Sequence, residues 1–135
     1  MENSNDYLNM KEFKKYHRLH ATPEDLYNAL VNPVMLEIWT GEPALMSEEP
    51  GSPFSLWDGS ISGTNLEFEK NRMIRQEWDF GEENNPSEVT LLLHPDGKGT
   101  RLEIRQINIP DEFYDNISEG WISAYIGGLT QLFED

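Results

Sequence analysis

The chain has no cysteine. Disulfide bridges and thiolate-bound metal are therefore excluded, and the composition is compatible with a reducing compartment. Positive charge is scarce: 10 Lys and Arg stand against 25 Asp and Glu, a formal net charge of −15. A field of that sign repels nucleic acid and anionic membrane surfaces, so neither is expected as a partner. No apolar run in the sequence approaches the roughly 18 residues needed to span a bilayer. The opening stretch MENSNDYLNMKEF has no apolar signal core, and a cytoplasmic location is the expectation. Aromatic residues, in contrast, make up 11% of 135 residues and include four tryptophans. That is enough large apolar surface to fill the core of one domain.

The acids fall in groups: Glu42, Glu48 and Glu49; Glu82 and Glu83; Asp111, Glu112, Asp115 and Glu119. Such groups read first as solvated surface, with an acidic face for a basic partner as the sharper alternative. Basic residues gather early, at Lys11, Lys14, Lys15 and Arg18.

Residues 1–12 read as an N-terminal extension and 13–135 as a single domain. Residues 14–20 suit a strand with His17 and Leu19 on one face and Tyr16, Arg18 and His20 on the other. Thr22 then suits a helix N-cap and Pro23 the first helical position, with Leu26, Ala29 and Leu30 as the apolar stripe. Asn32-Pro33 ends that helix, and 34–39 suits a second short one. After a polar loop to Pro53, segments 54–57 and 60–68 flank Asp58-Gly59, a pair that suits a two-residue type I′ hairpin. Segments 72–80, 87–94 and 100–107 alternate as strands with one wet face. Arg101, Glu103 and Arg105 belong to that wet face. Gly81 to Pro86 reads as a turn-rich loop. Pro110 ends the last strand, and 111–133 reads as a helix with its apolar stripe on Trp121, Ala124, Tyr125, Gly128, Leu129, Leu132 and Phe133. Gly120, Gly127 and Gly128 within it signal close packing or a kink. The fold class is α+β: an antiparallel sheet curved around a long C-terminal helix.

The ordered pieces HATPEDLYNALVNP…WTG, FSLWDGSISG, IRQEW, GTRLEIRQINIP and a GW before the terminal helix carry a family resemblance. Over residues 14–133 the chain resembles the activator of Hsp-90 ATPase homologue domain. That domain is part of the START-like superfamily, whose helix-grip fold is shared with the birch pollen allergen and polyketide cyclases. The resemblance implies two roles. One is binding of a small hydrophobic or amphipathic ligand between sheet and C-terminal helix. The other is interaction with an Hsp-90-type chaperone. Separately, a cavity with one polar group would suffice for an enzyme of the cyclase or hydratase kind.

The candidate site is aromatic. Strand alternation puts Phe54, Leu56, Ile74, Gln76, Trp78, Leu91, Leu102, Ile104 and Gln106 on the concave face, and Trp39, Trp121 and Tyr125 complete the ligand-binding set. Gln76, Gln106 or His17 would orient a polar end, because a buried amide needs partners. A core filled by its own side chains is the competing reading. Trp57 has the opposite parity to Phe54 and Leu56 and is expected outside, on a partner surface. Phe80 shares the face of Trp78. His17 and His20 diverge on their strand, and Asp58 is explained by its turn. No catalytic residue, metal or cofactor is assigned.

Overall fold

Six strands pair antiparallel in one sheet, in the order β1-β6-β5-β4-β3-β2. They are β1 (Met10–Leu19), β2 (Pro53–Leu56), β3 (Ile61–Glu69), β4 (Met73–Trp78), β5 (Ser87–Asp96) and β6 (Gly99–Pro110). Residues 10–81 and 86–134 are described, in a computed structural model. Residues 1–9 of the expected extension, and Glu82 and Glu83 with the centre of the turn-rich loop, lie outside the described residues.

Helices α1 (Pro23–Val31) and α2 (Pro33–Thr40) follow β1. Thr22 Oγ1 accepts the Asp25 backbone N–H at 3.1 Å, the expected cap. Asn32 closes α1 and opens α2, its Oδ1 accepting from Val34 N at 2.9 Å and Met35 N at 3.4 Å. The C-terminal helix begins with a 3-10 turn (Asp111–Phe113) and continues as α3 (Tyr114–Gly120), a π-helical segment (Trp121–Ile126) and α4 (Gly127–Leu132). Among the described residues, no helix is long and apolar enough to cross a membrane.

The alternation holds along the sheet. Ile74, Gln76 and Trp78 of β4, Val89, Leu91 and Leu93 of β5, and Leu102, Ile104 and Gln106 of β6 are all buried. They pack with Leu19, Leu26, Leu30, Leu36 and Leu129 into one core between the sheet and the helices. Burial at about 25 cal/mol per Å² of apolar surface is what drives the sheet to wrap that helix.

Three expectations are corrected. First, β1 starts at Met10 rather than Lys14, paired to the end of β6 (Met10 opposite Pro110) with a register shift between Lys11 and Phe13. Charged residues hid this start, since only Phe13 of the first five strand residues is buried. Second, the hairpin loop has four residues, because Leu56 pairs with Ile61. Trp57, Asp58 and Gly59 are all left-handed, with φ 50°, 53° and 91°. Gly59 N donates to Leu56 O at 3.2 Å and Ser60 N to Trp57 O at 3.1 Å, so two overlapping turns replace the single I′ turn. Third, Glu103 shares the outer face with Arg101 and Arg105 but is only 3% exposed. It accepts from Arg105 Nε at 2.5 Å and lies 2.8 Å from His94 Nε2. Burial alone would raise its pKa, but the hydrogen bonds from His94 and Arg105 outweigh that and hold the carboxyl below its ordinary value.

Gly63 closes the stretch FSLWDGSISG for a steric reason. A Cβ there would lie 1.8 Å from the Glu77 carbonyl oxygen, where β3 runs against β4. No residue other than glycine fits without moving backbone.

Candidate functional site

The space between sheet and helix is occupied by side chains. Trp39, Phe54, Leu56, Ile74, Gln76, Leu91, Leu102, Ile104 and Gln106 belong to this packed interior. Trp78, Trp121 and Tyr125 are also buried, but they form part of an open cleft of 190 Å³ at one end of the grip. Trp57 and Ile61 from the β2–β3 hairpin and Ile117 from α3 complete its apolar walls. Ser60 and Asn116 supply polar atoms at it.

The two buried amides find their partners within the protein. Gln106 Oε1 accepts the Trp121 indole N–H at 2.7 Å, and its Nε2 donates to Ser87 Oγ at 3.0 Å. Gln76 Oε1 accepts the Trp78 indole N–H at 3.1 Å, and its Nε2 donates to Asn65 Oδ1 at 3.0 Å. Asn65 in turn donates to Ser47 O at 3.1 Å. Among the described residues, no buried side-chain nitrogen or oxygen lacks a partner. The amides therefore fix the two indoles rather than face open space. Held this way, Trp78 and Trp121 stack with centroids 5.0 Å apart and planes 20° apart.

Tilted and edge-on contacts extend this pair. Tyr125 meets Trp121 at 4.5 Å, Trp39 at 5.0 Å and Trp57 at 5.9 Å between centroids. Trp57 meets Trp39 at 5.8 Å, nearly perpendicular. Such pairs are worth about 0.5–1.5 kcal/mol each beyond the area they bury. Phe80 stands apart and stacks on Phe113 at 5.5 Å.

Trp57 is thus corrected from outward to inward. Its left-handed backbone takes it off the two-residue alternation of β2, so parity does not govern where the ring goes. That conformation costs a non-glycine residue roughly 1–2 kcal/mol. The contacts with Trp39 and Tyr125 offset it.

The helix contributes through its widened segment. The π-helical stretch carries Trp121, Ala124 and Tyr125, all of which line the cleft. Segments of this kind are rare and occur often at functional sites. Immediately after it, Gly128 lets the helix close on α2, since a Cβ there would lie 2.8 Å from the Trp39 ring. Trp39 Nε1 donates across to Ala29 O of α1 at 2.9 Å, anchoring the aromatic cluster from behind.

The ionisable group of the cleft is Tyr125, whose phenol burial pushes well above its ordinary pKa. It is a neutral hydroxyl at physiological pH. His17 lies elsewhere, in a shallow groove between β1 and the C-terminal helix, with Nε2 3.2 Å from Thr130 Oγ1. Desolvation, helped by Lys15, lowers its pKa. Asp58 is exposed, and its backbone N–H donates to Pro43 O at 3.0 Å as part of the hairpin loop.

Comparison with known proteins gives a consistent picture. The family model for "Activator of Hsp90 ATPase homolog 1-like protein" matches residues 20–134. An activator of 90 kDa heat shock protein ATPase homolog from Dictyostelium discoideum is 33% identical over 126 residues, which is 91% of this chain and 33% of that protein. The human activator of 90 kDa heat shock protein ATPase homolog 1 is 25% identical over 115 residues, 84% of this chain and 34% of that one. The chain thus spans about a third of the length of the curated relatives it matches. An HSP90 activator from Plasmodium falciparum superposes with a TM-score of 0.81 at 25% identity, covering 90% of this chain and 94% of that structure. The Aha1 dimer from Colwellia psychrerythraea, at 15% identity and a TM-score of 0.80 over 92% and 96% of the two chains, shares the fold.

Proposed function

The chain belongs to the activator of Hsp90 ATPase homolog 1-like family, and on that premise we propose that it is an interaction module for an Hsp90-type chaperone, with the aromatic cleft as a contact site. The size of the cleft carries this reading. At 190 Å³ it falls below the roughly 300–1,000 Å³ of typical small-molecule sites, and the interior behind it is filled. An open, apolar recess lined by tryptophan and tyrosine suits an apolar side chain presented by a partner protein, the usual anchor of a protein interface. The strained Trp57 beside the cleft supports it too, because backbone strain of this kind clusters at functional sites. The test is the ATPase rate of an Hsp90-type chaperone with and without the protein, together with a pull-down. The reading expects stimulation and capture, both reduced by Ala124→Phe, which fills the cleft from the helix. Absence of both rate change and capture would sink it.

A second reading concerns the same cleft. Tyr125 lines the cleft with its neutral phenol, a group of the kind that would hold the polar end of a small apolar or amphipathic molecule. Native mass spectrometry and a thermal-shift screen of lipids and aromatic metabolites test this. No adduct and no shifted melting would reject it. No catalytic role is proposed, since a neutral phenol is the only ionisable group the described residues bring to the cleft.

A further inference from the structure

In a chain of net charge −15, six of the ten Lys and Arg residues sit on just two neighbouring strands, β1 and β6, where they face only Glu12 and Glu103 as strand-borne acids. Four of these cations occupy the outer face of the sheet, opposite the side that packs on the helix. The strand register places Lys14 directly across from Arg105 and Arg18 directly across from Arg101, with Tyr16 across from Glu103 between them. Like charges directly opposite on an antiparallel pair destabilise it. Here this occurs twice on one ribbon, at the sheet edge.

The cations are also arranged. The ring of Tyr16, 45% exposed, has Lys14 Nζ 5.4 Å from its centre and the Arg101 guanidinium 5.1 Å from it. Arg18 is held by Asp96, with Nε 3.1 Å from Oδ2 and a second bond to the carbonyl oxygen at 3.0 Å. Glu103 neutralises Arg105 and lies 4.0 Å from Lys14. Arg101 makes no ion pair among the described residues. With Glu12, Asp96 and Glu103 counted, four cations still outnumber three carboxylates on this face.

We propose that the outer face of β1 and β6 is a docking surface for an extended acidic segment of another protein. The two cationic pairs lie four strand residues apart, about 14 Å at the rise of a β-strand. An extended partner with carboxylates at i and i+4 spans them, and its residue i+2 lies over Tyr16. Such a segment relieves both like-charge pairs at once. A short acidic peptide feels mainly charges within about 8 Å at physiological salt, so the acidic remainder of the chain does not exclude it. A long polyanion such as duplex nucleic acid meets the whole −15 field and is repelled. This surface is on the opposite side of the sheet from the aromatic cleft and does not depend on the chaperone reading.

The test uses the full chain and a fluorescent peptide of alternating Glu and Ser, followed by anisotropy. Saturable binding that weakens with salt is expected, and Lys14→Glu and Arg101→Glu should each weaken it by about tenfold or more. Lys70→Glu, on the β3–β4 turn, should leave it unchanged. Arg101→Gln provides a check on folding: it removes one like-charge pair, so its thermal midpoint should stay level or rise while peptide affinity falls. Absence of saturable binding overturns the proposal, as does binding indifferent to Lys14 and Arg101. Equal affinity for a duplex oligonucleotide also overturns it. So does self-association of the chain that the same two variants abolish, because the occupant would then be a second copy.

Discussion

Trp121 donates its indole N–H to Gln106 at 2.7 Å, joining the C-terminal helix to strand β6 through a hydrogen bond in which both side chains are buried. It is a buried polar tie between the two halves of the grip. Replacing Gln106 by Leu leaves the Trp121 indole without its acceptor and Ser87 Oγ without its donor, a cost of about 1–3 kcal/mol. Urea unfolding should show that loss, with a changed tryptophan emission in the folded state. A stability equal to the parent's would mean the indole finds another partner.

Trp57 makes a comparison of two variants informative. Both Trp57→Ala and Trp57→Gly delete the ring and its contacts with Trp39 and Tyr125. Only glycine also removes the left-handed strain, so the Gly variant should be more stable than the Ala variant by about 1 kcal/mol. Chemical denaturation of the pair measures this directly. The opposite order would place the turn in another conformation.

Three glycines should respond differently to alanine. Gly63→Ala drives a methyl into the Glu77 carbonyl and should be severely destabilising. Gly128→Ala meets the Trp39 ring and carbonyl at 2.8 and 3.0 Å and should lose stability through a shift of α2. Gly127, whose nearest neighbour to an added Cβ is 3.7 Å away, should gain up to about 1 kcal/mol from helix propensity. Thermal melts of the three variants separate these outcomes.

Glu103 predicts an acid dependence. Its folded pKa is below the ordinary 4.5, so the unfolded chain binds the proton first as pH falls. The stability it contributes is therefore present above pH 4.5 and is lost as pH drops through the lower folded value. Glu103→Gln should flatten the unfolding midpoint between pH 5 and 3, scales set by the ordinary carboxylate range of about 4. An unaltered slope would show that other carboxylates dominate acid unfolding.

The element order was legible because its signals are local. Thr22 and Asn32 cap helices by contacts two or three residues away, and strand faces follow a two-residue period. Gln76 and Gln106 were legible as buried amides. Their partnership with Trp78 and Trp121 was not wholly so, since Gln106 and Trp121 meet only when helix and sheet dock. The inward turn of Trp57 escaped because a positive φ suspends the alternation that parity relies on. The cleft escaped because whether side chains fill a concave face depends on volumes contributed by distant segments. Glu103 showed an outward parity but not the three neighbours that bury it.

Asn32 has one further consequence. Because this single side chain caps α2 while its backbone closes α1, and Trp39 of α2 bonds to Ala29 of α1, the two helices have no slack between them. They form a stiff bracket whose Trp39 presses on Gly128 and Tyr125. The aromatic cluster is therefore braced from behind by two coupled helices, while its front is carried by the hairpin that bears Trp57. The recess is backed by a brace and fronted by a turn.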